Sequence, residues 1–434
     1  MRFVSTRGSS AADSIGEAML RGAAPDGGLY MPEAIPVSDW RQLEPNAPLA
    51  DFAARFLQPF FAGDELEHQL AAICAEAFDF PAPLVTPNPD QPTVQTLELF
   101  HGPTGAFKDF GARFLMACFN RLGEDGAPLT VLAATSGDTG GAVGCAAEGR
   151  ASVQAVILFP KGRVSEFQER QLTCWNEPVR ALEVRGDFDE CQRLVKAAFA
   201  DQELTAEHRL TSANSINFGR LLPQATYIAQ AALKLFAESG ERPGFVIPTG
   251  NLGHGFAALL ARAMGAPVGP VILVTNANRT IKDWATSGRY EPRASVATLA
   301  NAMDVGAPSN FERLIALPQD QREVRVELVD DEAIRARIRT DHQAFGYVWC
   351  PHSATAAEAH ARLTVAERSE RPWILAATAH PYKFRETVEP LIGRAIEPPP
   401  ALEAILDRPT HKSAIAARLE ALAEALKSPA LAPL

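Results

Sequence analysis

The stretch Leu129-Thr-Val-Leu-Ala-Ala-Thr-Ser-Gly-Asp-Thr-Gly-Gly-Ala-Val-Gly144 moves from an apolar run, through hydroxyls and glycines, into a run of small residues. An unbroken apolar run of this kind suits a strand covered on both faces, and the glycine-rich turn behind it opens a helix. The same succession recurs along the chain. Val153-Gln-Ala-Val-Ile-Leu-Phe159, Phe245-Val-Ile247, Val271-Ile-Leu-Val274 and Trp373-Ile-Leu-Ala-Ala377 read as further strands. Helical patterns lie between most of them, such as Tyr227-Ile-Ala-Gln-Ala-Ala-Leu-Lys-Leu-Phe236. Strand–helix alternation with continuous apolar strands predicts a mostly parallel α/β sheet.

Outside this middle region the character changes. Residues up to about 92 mix short helical patterns, such as Ser14-Ile-Gly-Glu-Ala-Met-Leu20, with Pro and Gly breaks, and the turn-rich Val85-Thr-Pro-Asn-Pro-Asp-Gln-Pro92 reads as a boundary. The tail from about Pro398 is rich in Ala, Leu, Glu and Lys, and predicts an outer helix near Ile415 to Leu426.

Composition narrows the function classes. A chain of 434 residues with 47% hydrophobic and 21% charged residues is long enough for two or three globular domains. Its net charge of −11 argues against a nucleic-acid partner, yet leaves room for a local basic pocket. Cys74, Cys118, Cys145, Cys174, Cys191 and Cys350 form no CxxC pair, so reduced thiols in a cytoplasmic protein are expected rather than disulfides or a metal site. The N-terminal run Met1-Arg-Phe-Val-Ser-Thr-Arg-Gly8 has no apolar segment of the kind a leader needs, and no stretch reaches the roughly 20 apolar residues of a membrane span.

Four runs carry candidate chemistry. In His101-Gly-Pro-Thr-Gly-Ala-Phe-Lys-Asp-Phe110 a turn precedes a helical spacing of Phe107, Phe110, Phe114, Leu115 and Cys118, which places Lys108 in the first helical turn. A helix N-terminus and apolar burial both disfavour an ammonium, and a neutral lysine can attack an aldehyde. Taken alone, the run equally fits a surface lysine on an amphipathic helix. Thr135, Ser136, Gly137, Asp138 and Thr139 lie where exposed backbone N–H groups at a helix start would hold an anion such as a carboxylate, or would simply make a strand-to-helix turn. Pro248-Thr-Gly-Asn-Leu-Gly-His-Gly255 also follows a strand and precedes a helix, and its glycines let backbone approach a phosphate. It lacks the GK[ST] of a nucleotide-binding P-loop. Asn214-Ser-Ile-Asn-Phe-Gly-Arg220 offers amides, a hydroxyl and a guanidinium, suited either to phosphate or to an ordinary capped helix start. His352 and His360 flank Glu358 at a spacing that fits no usual metal motif, so they are expected as surface or packing residues, and no metal is expected.

Together these runs resemble the threonine synthase family, in its longer bacterial and fungal type, within the fold type II pyridoxal-phosphate enzymes. The resemblance starts at Pro25-Asp-Gly-Gly-Leu-Tyr-Met-Pro32 and continues through the lysine run and Ala134-Thr-Ser-Gly-Asp-Thr-Gly140. It takes in Phe159-Pro-Lys-Gly-Arg-Val-Ser165, Ser212-Ala-Asn-Ser-Ile-Asn217 and Gly250-Asn-Leu-Gly253. Thr275-Asn-Ala-Asn278, Asn301-Ala-Met-Asp-Val305 and Thr378-Ala-His-Pro-Tyr-Lys-Phe384 complete it. Their number and order make the match specific.

The resemblance implies a tryptophan synthase β-like fold: two open, twisted, mostly parallel sheet lobes and an extra N-terminal domain. It implies segments at 1–92, at 93–240 (with a small mobile lobe at about 129–200) and at 241–434, the last a large lobe with the C-terminal helices. It implies pyridoxal 5'-phosphate carried on Lys108, its phosphate held by Gly250, Asn251, Leu252, Gly253 and His254, and its ring beside Asp138 and Thr378. Thr135 to Thr139 match a substrate-carboxylate loop, while Asn214, Ser215 and Arg220 match positions at a substrate phosphate. Lys161 and Arg163 are further candidate cations. The implied reaction takes O-phospho-L-homoserine and water to L-threonine and phosphate, in a monomer or homodimer. A serine/threonine dehydratase-like lyase and a catalytically silent binding protein are the alternatives.

Overall fold

The computed structural model describes residues 1–123, 126–135 and 137–427. Its architecture is three sheets with helices around them. The small sheet runs in the order Ser413–Ala416, Val179–Arg185, Val153–Pro160, Leu129–Ala134, Leu210–Ser212, with every neighbouring pair parallel. The large sheet runs Arg325–Leu328, Val271–Thr275, Gly244–Pro248, Trp373–Ala377, Val94–Glu98, Leu84–Val85, and only its last pair is antiparallel. A three-stranded antiparallel sheet of Ala11–Ala12, Phe3–Ser5 and Tyr30–Pro32 belongs to the N-terminal segment.

The five expected strands form within a residue or so of their reading, and Leu129–Ala134, Gly244–Pro248, Val271–Thr275 and Trp373–Ala377 are buried at every position. A parallel strand with helices on both faces has no wet side, so its sequence shows no alternation. The tail departs from expectation. Residues 413–416 are a strand on the edge of the small sheet, and the helix begins only at Leu419. The segment expected to end in the large lobe therefore closes the small one. Ile415, Leu422 and Leu426 are buried there with Val184, Leu194 and Val195, apolar surface that sheet edge would otherwise expose.

The helix Lys108–Leu122 joins the parts. Its face of Phe110, Phe114, Leu115 and Cys118 is fully buried. Phe61, from the N-terminal helix Leu49–Phe61, meets Phe114 edge-on at 6.1 Å, and Phe78 stacks on Phe114 at 6.0 Å. Aromatic contacts of this kind add about 0.5–1.5 kcal/mol each beyond area burial. The N-terminal segment thus braces the helix on which Lys108 stands. Among the described residues no helix is long and apolar enough to cross a membrane.

Candidate active site

Lys108 is the first residue of its helix, as its spacing predicts. The turn before it is tied to the end of the strand Trp373–Ala377, where Phe107 N–H donates to the Thr378 carbonyl at 2.9 Å. Thr104 anchors the same turn, its hydroxyl and N–H donating to the two oxygens of Asp109 at 2.6 and 2.9 Å. Lys108 lies on a cavity of about 400 Å³. Burial, then the neighbouring guanidinium of Arg220, lowers its pKa to about 8 against the pull of Asp138. A group so placed supplies neutral amine near neutral pH.

Two helix N-termini border the same cavity. The helix Asp138–Ala147 follows the strand Leu129–Ala134, and the helix Gly253–Ala263 follows Gly244–Pro248. Neither has a side-chain cap among the described residues. Gly137 turns into the first with φ 146° and Leu252 into the second with φ 64°, a left-handed conformation that a leucine adopts at a cost of about 1–3 kcal/mol. The Thr135 hydroxyl accepts from the N–H groups of Gly137 and Gly140, both at 3.0 Å, and so shapes the first loop. A Cβ on Gly250 would lie 2.8 Å from Met303 Cα and 3.0 Å from the Ala302 carbonyl, so the second loop passes where only glycine fits. Uncapped N–H groups with the positive end of a helix dipole bind anions.

Arg220 is buried, and its Nε has no partner among the described residues, while burial lowers its pKa to about 10. Asn214 and Ser215 follow the strand Leu210–Ser212 and line the cavity. The Ser215 hydroxyl accepts from Asn251 Nδ2 at 2.7 Å and from Asn310 Nδ2 at 3.2 Å, which joins this run to the glycine loop. Arg313, fully buried, donates to the carbonyls of Tyr30, Ser215 and Ile216, so the N-terminal sheet also fixes the run's position.

The cavity thus brings together Lys108, Thr135, Asp138, Thr139, Asn214, Ser215, Arg220, Gly250, Asn251, Leu252, Gly253, His254 and Thr378. Gly137 sits just behind as a helix cap. Ser136 lies outside the described residues. Lys161 and Arg163 are not at the cavity. Lys161 is 62% exposed and 3.9 Å from Glu183, where an ammonium keeps its hydration.

The structure adds residues that reading by motif missed. His352, expected as surface or packing, is buried on the cavity wall, where its Nε2 accepts from Ala302 N–H at 3.1 Å. Burial holds its pKa down at about 4. His254, already expected in the glycine loop, stacks on Phe107 at 4.6 Å, and burial, with Lys108 nearby, lowers it to about 3, so it meets any anion as a neutral ring. Lys383 donates to the Thr104 carbonyl at 2.8 Å and pairs with Asp138 at 3.0 Å. Lys196 and Arg293 stand at the cavity as exposed cations. Lys383 and Asn301 lie in runs the resemblance already covers, but nothing local singles them out.

These residues fit pyridoxal phosphate. An amine of lowered pKa faces an uncapped, glycine-lined anion cradle, and the buried polar atoms Arg220 Nε, Asn214 Oδ1, Thr249 Oγ1 and both His254 ring nitrogens have no partner among the described residues. Parallel strands, their loops and this lysine define the class: residues 82–375 match the model of the pyridoxal-phosphate dependent enzymes. Residues 2–78 match the threonine synthase N terminus and residues 353–426 the threonine synthase C-terminal model. The chain is 38% identical over 404 residues to the threonine synthase of Escherichia coli (strain K12), covering 91% of this chain and 92% of that protein. It is 39% identical to that of Serratia marcescens over 90% of each. The fold superposes on the crystal structure of the Escherichia coli threonine synthase with a TM-score of 0.90 and 34% identity, covering 98% of this chain and 99% of that one. It matches the pyridoxal-phosphate-bound threonine synthase from Brucella melitensis equally well, at 33% identity over 98% of both chains. The chain belongs to the threonine synthase family.

Proposed function

We propose that this chain converts O-phospho-L-homoserine and water to L-threonine and phosphate. The observation that carries the reading is the meeting, in one cavity, of a lysine with lowered pKa, two uncapped helix N-termini and the buried guanidinium of Arg220. Three anionic groups, a cofactor phosphate, a substrate carboxylate and a leaving phosphate, need three such sites.

Pyridoxal phosphate, when bound, supplies an aldehyde for an amine and a ring that takes up electrons from the substrate. Gly250 to His254 would hold its phosphate, and Asp138 and Thr378 would border its ring. The Thr378 hydroxyl, unlike a carboxylate, would not stabilise a ring cation. The loop Thr135 to Thr139 orients the substrate carboxylate. Arg220, with Asn214, draws the substrate phosphate, and Ser215 links both phosphate sites through Asn251. Lys108 is the base placed to take the proton from the substrate carbon that bears the amino group, and to return protons later. Burial keeps stray water from the reacting carbons.

Three segments accompany this reading: 1–92 as a brace, 93–240 carrying Lys108 and a small lobe at about 129–200 that closes on substrate, and 241–434 with the phosphate loop. Residues 413–427 act with the small lobe instead. A monomer or homodimer in the cytoplasm, without nucleic acid, completes the proposal; six free cysteines and the net charge of −11 support the compartment and the missing nucleic-acid partner.

A dehydratase-like lyase and a silent binding protein are not favoured. Threonine deaminase structures match at 17% and 18% identity, which shows a shared fold alone. The test is incubation with O-phospho-L-homoserine, with phosphate release measured and the organic product identified. Threonine in equal amount with phosphate is expected from the wild type and none from Lys108→Ala. Oxobutyrate formed from threonine, with no phosphate released from phosphohomoserine, would overturn the assignment.

A further inference from the structure

Lys383 is a second lysine withdrawn from water, with a side chain 0% exposed. It does not line the cavity; Asp138, its partner at 3.0 Å, does. The ammonium stands behind the wall and the carboxylate in it. Lys383 and Gln168 Nε2 both engage Asp138 Oδ1, at 3.0 and 3.3 Å. The same ammonium holds the Thr104 carbonyl, on the turn that leads into Lys108. Buried ion pairs are weak sources of stability, since apolar replacements often do as well. This one faces Lys108, and that position gives it a use.

Asp138 has two cations within electrostatic reach, Lys383 and Lys108, with His352 as a third neighbour. Lys108 in turn faces Arg220, Asp138 and Lys383, and His254 feels its charge. Asp109, close to Lys383 and Arg220, is bonded to Thr104. A carboxylate without Lys383 would turn to Lys108 and hold it as an ammonium.

Resting on the reading of Lys108 as the cofactor lysine, we propose that Lys383 is a positioning residue: it keeps the Asp138 carboxylate engaged from behind the cavity wall, and so keeps Lys108 free to react. Two effects act in one direction. Loss of Lys383 removes a cation that disfavours the Lys108 ammonium and releases an anion that favours it.

The test follows uptake of pyridoxal phosphate by apoenzyme, read from its visible absorption as a function of pH, without substrate. Wild type, Lys383→Met, Lys383→Arg, Asp138→Asn and the double variant Lys383→Met/Asp138→Asn are compared. For Lys383→Met the pH midpoint of the uptake rate is expected to rise by about one unit, slowing uptake about tenfold at neutral pH. Lys383→Arg and the double variant are expected to return towards the wild-type midpoint, because one restores the cation and the other removes the anion. A purely structural lysine would lower yield or stability without moving the midpoint, and its loss would not be rescued by Asp138→Asn. An unmoved midpoint in Lys383→Met, or no rescue in the double variant, overturns the proposal. If Lys383→Met does not fold, Lys383→Gln is read by the same criteria. Lys108→Ala separates the two levels: covalent uptake in that variant would sink the cofactor-lysine reading itself.

Discussion

Lys108 is buried beside two cations, Arg220 and Lys383, and each of these conditions disfavours its own positive charge. Its amine fraction therefore grows as pH rises through about 8, well below the 10.5 of an exposed lysine. The rate at which apoenzyme takes up pyridoxal phosphate is expected to follow that fraction, levelling off above pH 8; stopped-flow absorbance over a pH series reads it directly. A rate still climbing steeply at pH 10 would show an ordinary lysine. Gly250 makes a second prediction at this scale. The added methyl of Gly250→Ala would meet backbone of Met303 and Ala302, which cannot swing aside as a side chain can. Overpacking of this kind costs about 1–3 kcal/mol, so cofactor affinity is expected to fall roughly ten- to a hundredfold, measurable by equilibrium titration. Motif reading reaches such residues because their signals are local: a lysine after a Gly-Pro turn, glycines after a strand. Lys383 and His352 carry no such mark. Only folding brings them from beyond residue 350, His352 to the cavity wall and Lys383 to Asp138 behind it, and only burial distinguishes them from surface groups.

Elements show the same division between local and tertiary signals. Strands buried on both faces are legible as apolar runs. Val179–Arg185 is not, since Arg180 and Glu183 interrupt it, yet it pairs on both sides as fully as its neighbours. Ser413–Ala416 escaped because its alanines suit a helix, and pairing with the edge of the small sheet overrides that propensity. This edge strand and the helix Leu419–Lys427 behind it seal the small sheet's core. Leu422 is fully buried in that core. Leu422→Ala is expected to cost about 2–4 kcal/mol through lost burial and a residual cavity, seen as a lower denaturant midpoint. A loss below about half a kcal/mol would mean that the tail adds little to the small lobe. If that lobe moves on substrate, its core must hold together as it does so, and the C-terminal strand is part of what holds it.

For the molecule as a whole, the buried histidines set a pH limit. Burial lowers His254 to about 3 and His352, His360 and His380 to about 4, against 6.5 when exposed. Between about pH 4 and 6.5 the unfolded chain therefore binds protons that the folded chain refuses. Stability rises with pH wherever the unfolded state binds more protons, so it falls as pH drops through 6.5 towards 4 and is insensitive to these groups above about 7. Each such histidine adds at most about 1.4 kcal/mol per pH unit to the slope. Two of the four line the cavity, where their neutral rings add no further positive charge beside Lys108; the acid limit is thus partly a consequence of how the site is built. His360 isolates the effect. It does not line the cavity, it packs edge-on against Trp373 at 5.9 Å, and its Nε2 has no partner among the described residues. His360→Phe keeps the ring and removes the titration. Unfolding free energies measured between pH 5 and 7 at one fixed cofactor concentration should then fall less steeply with acid, by about 0.9 kcal/mol per pH unit averaged over that range. An unchanged slope would mean that His360 takes up its proton in the folded state as readily as in the unfolded one, and that burial at this position does not exclude charge.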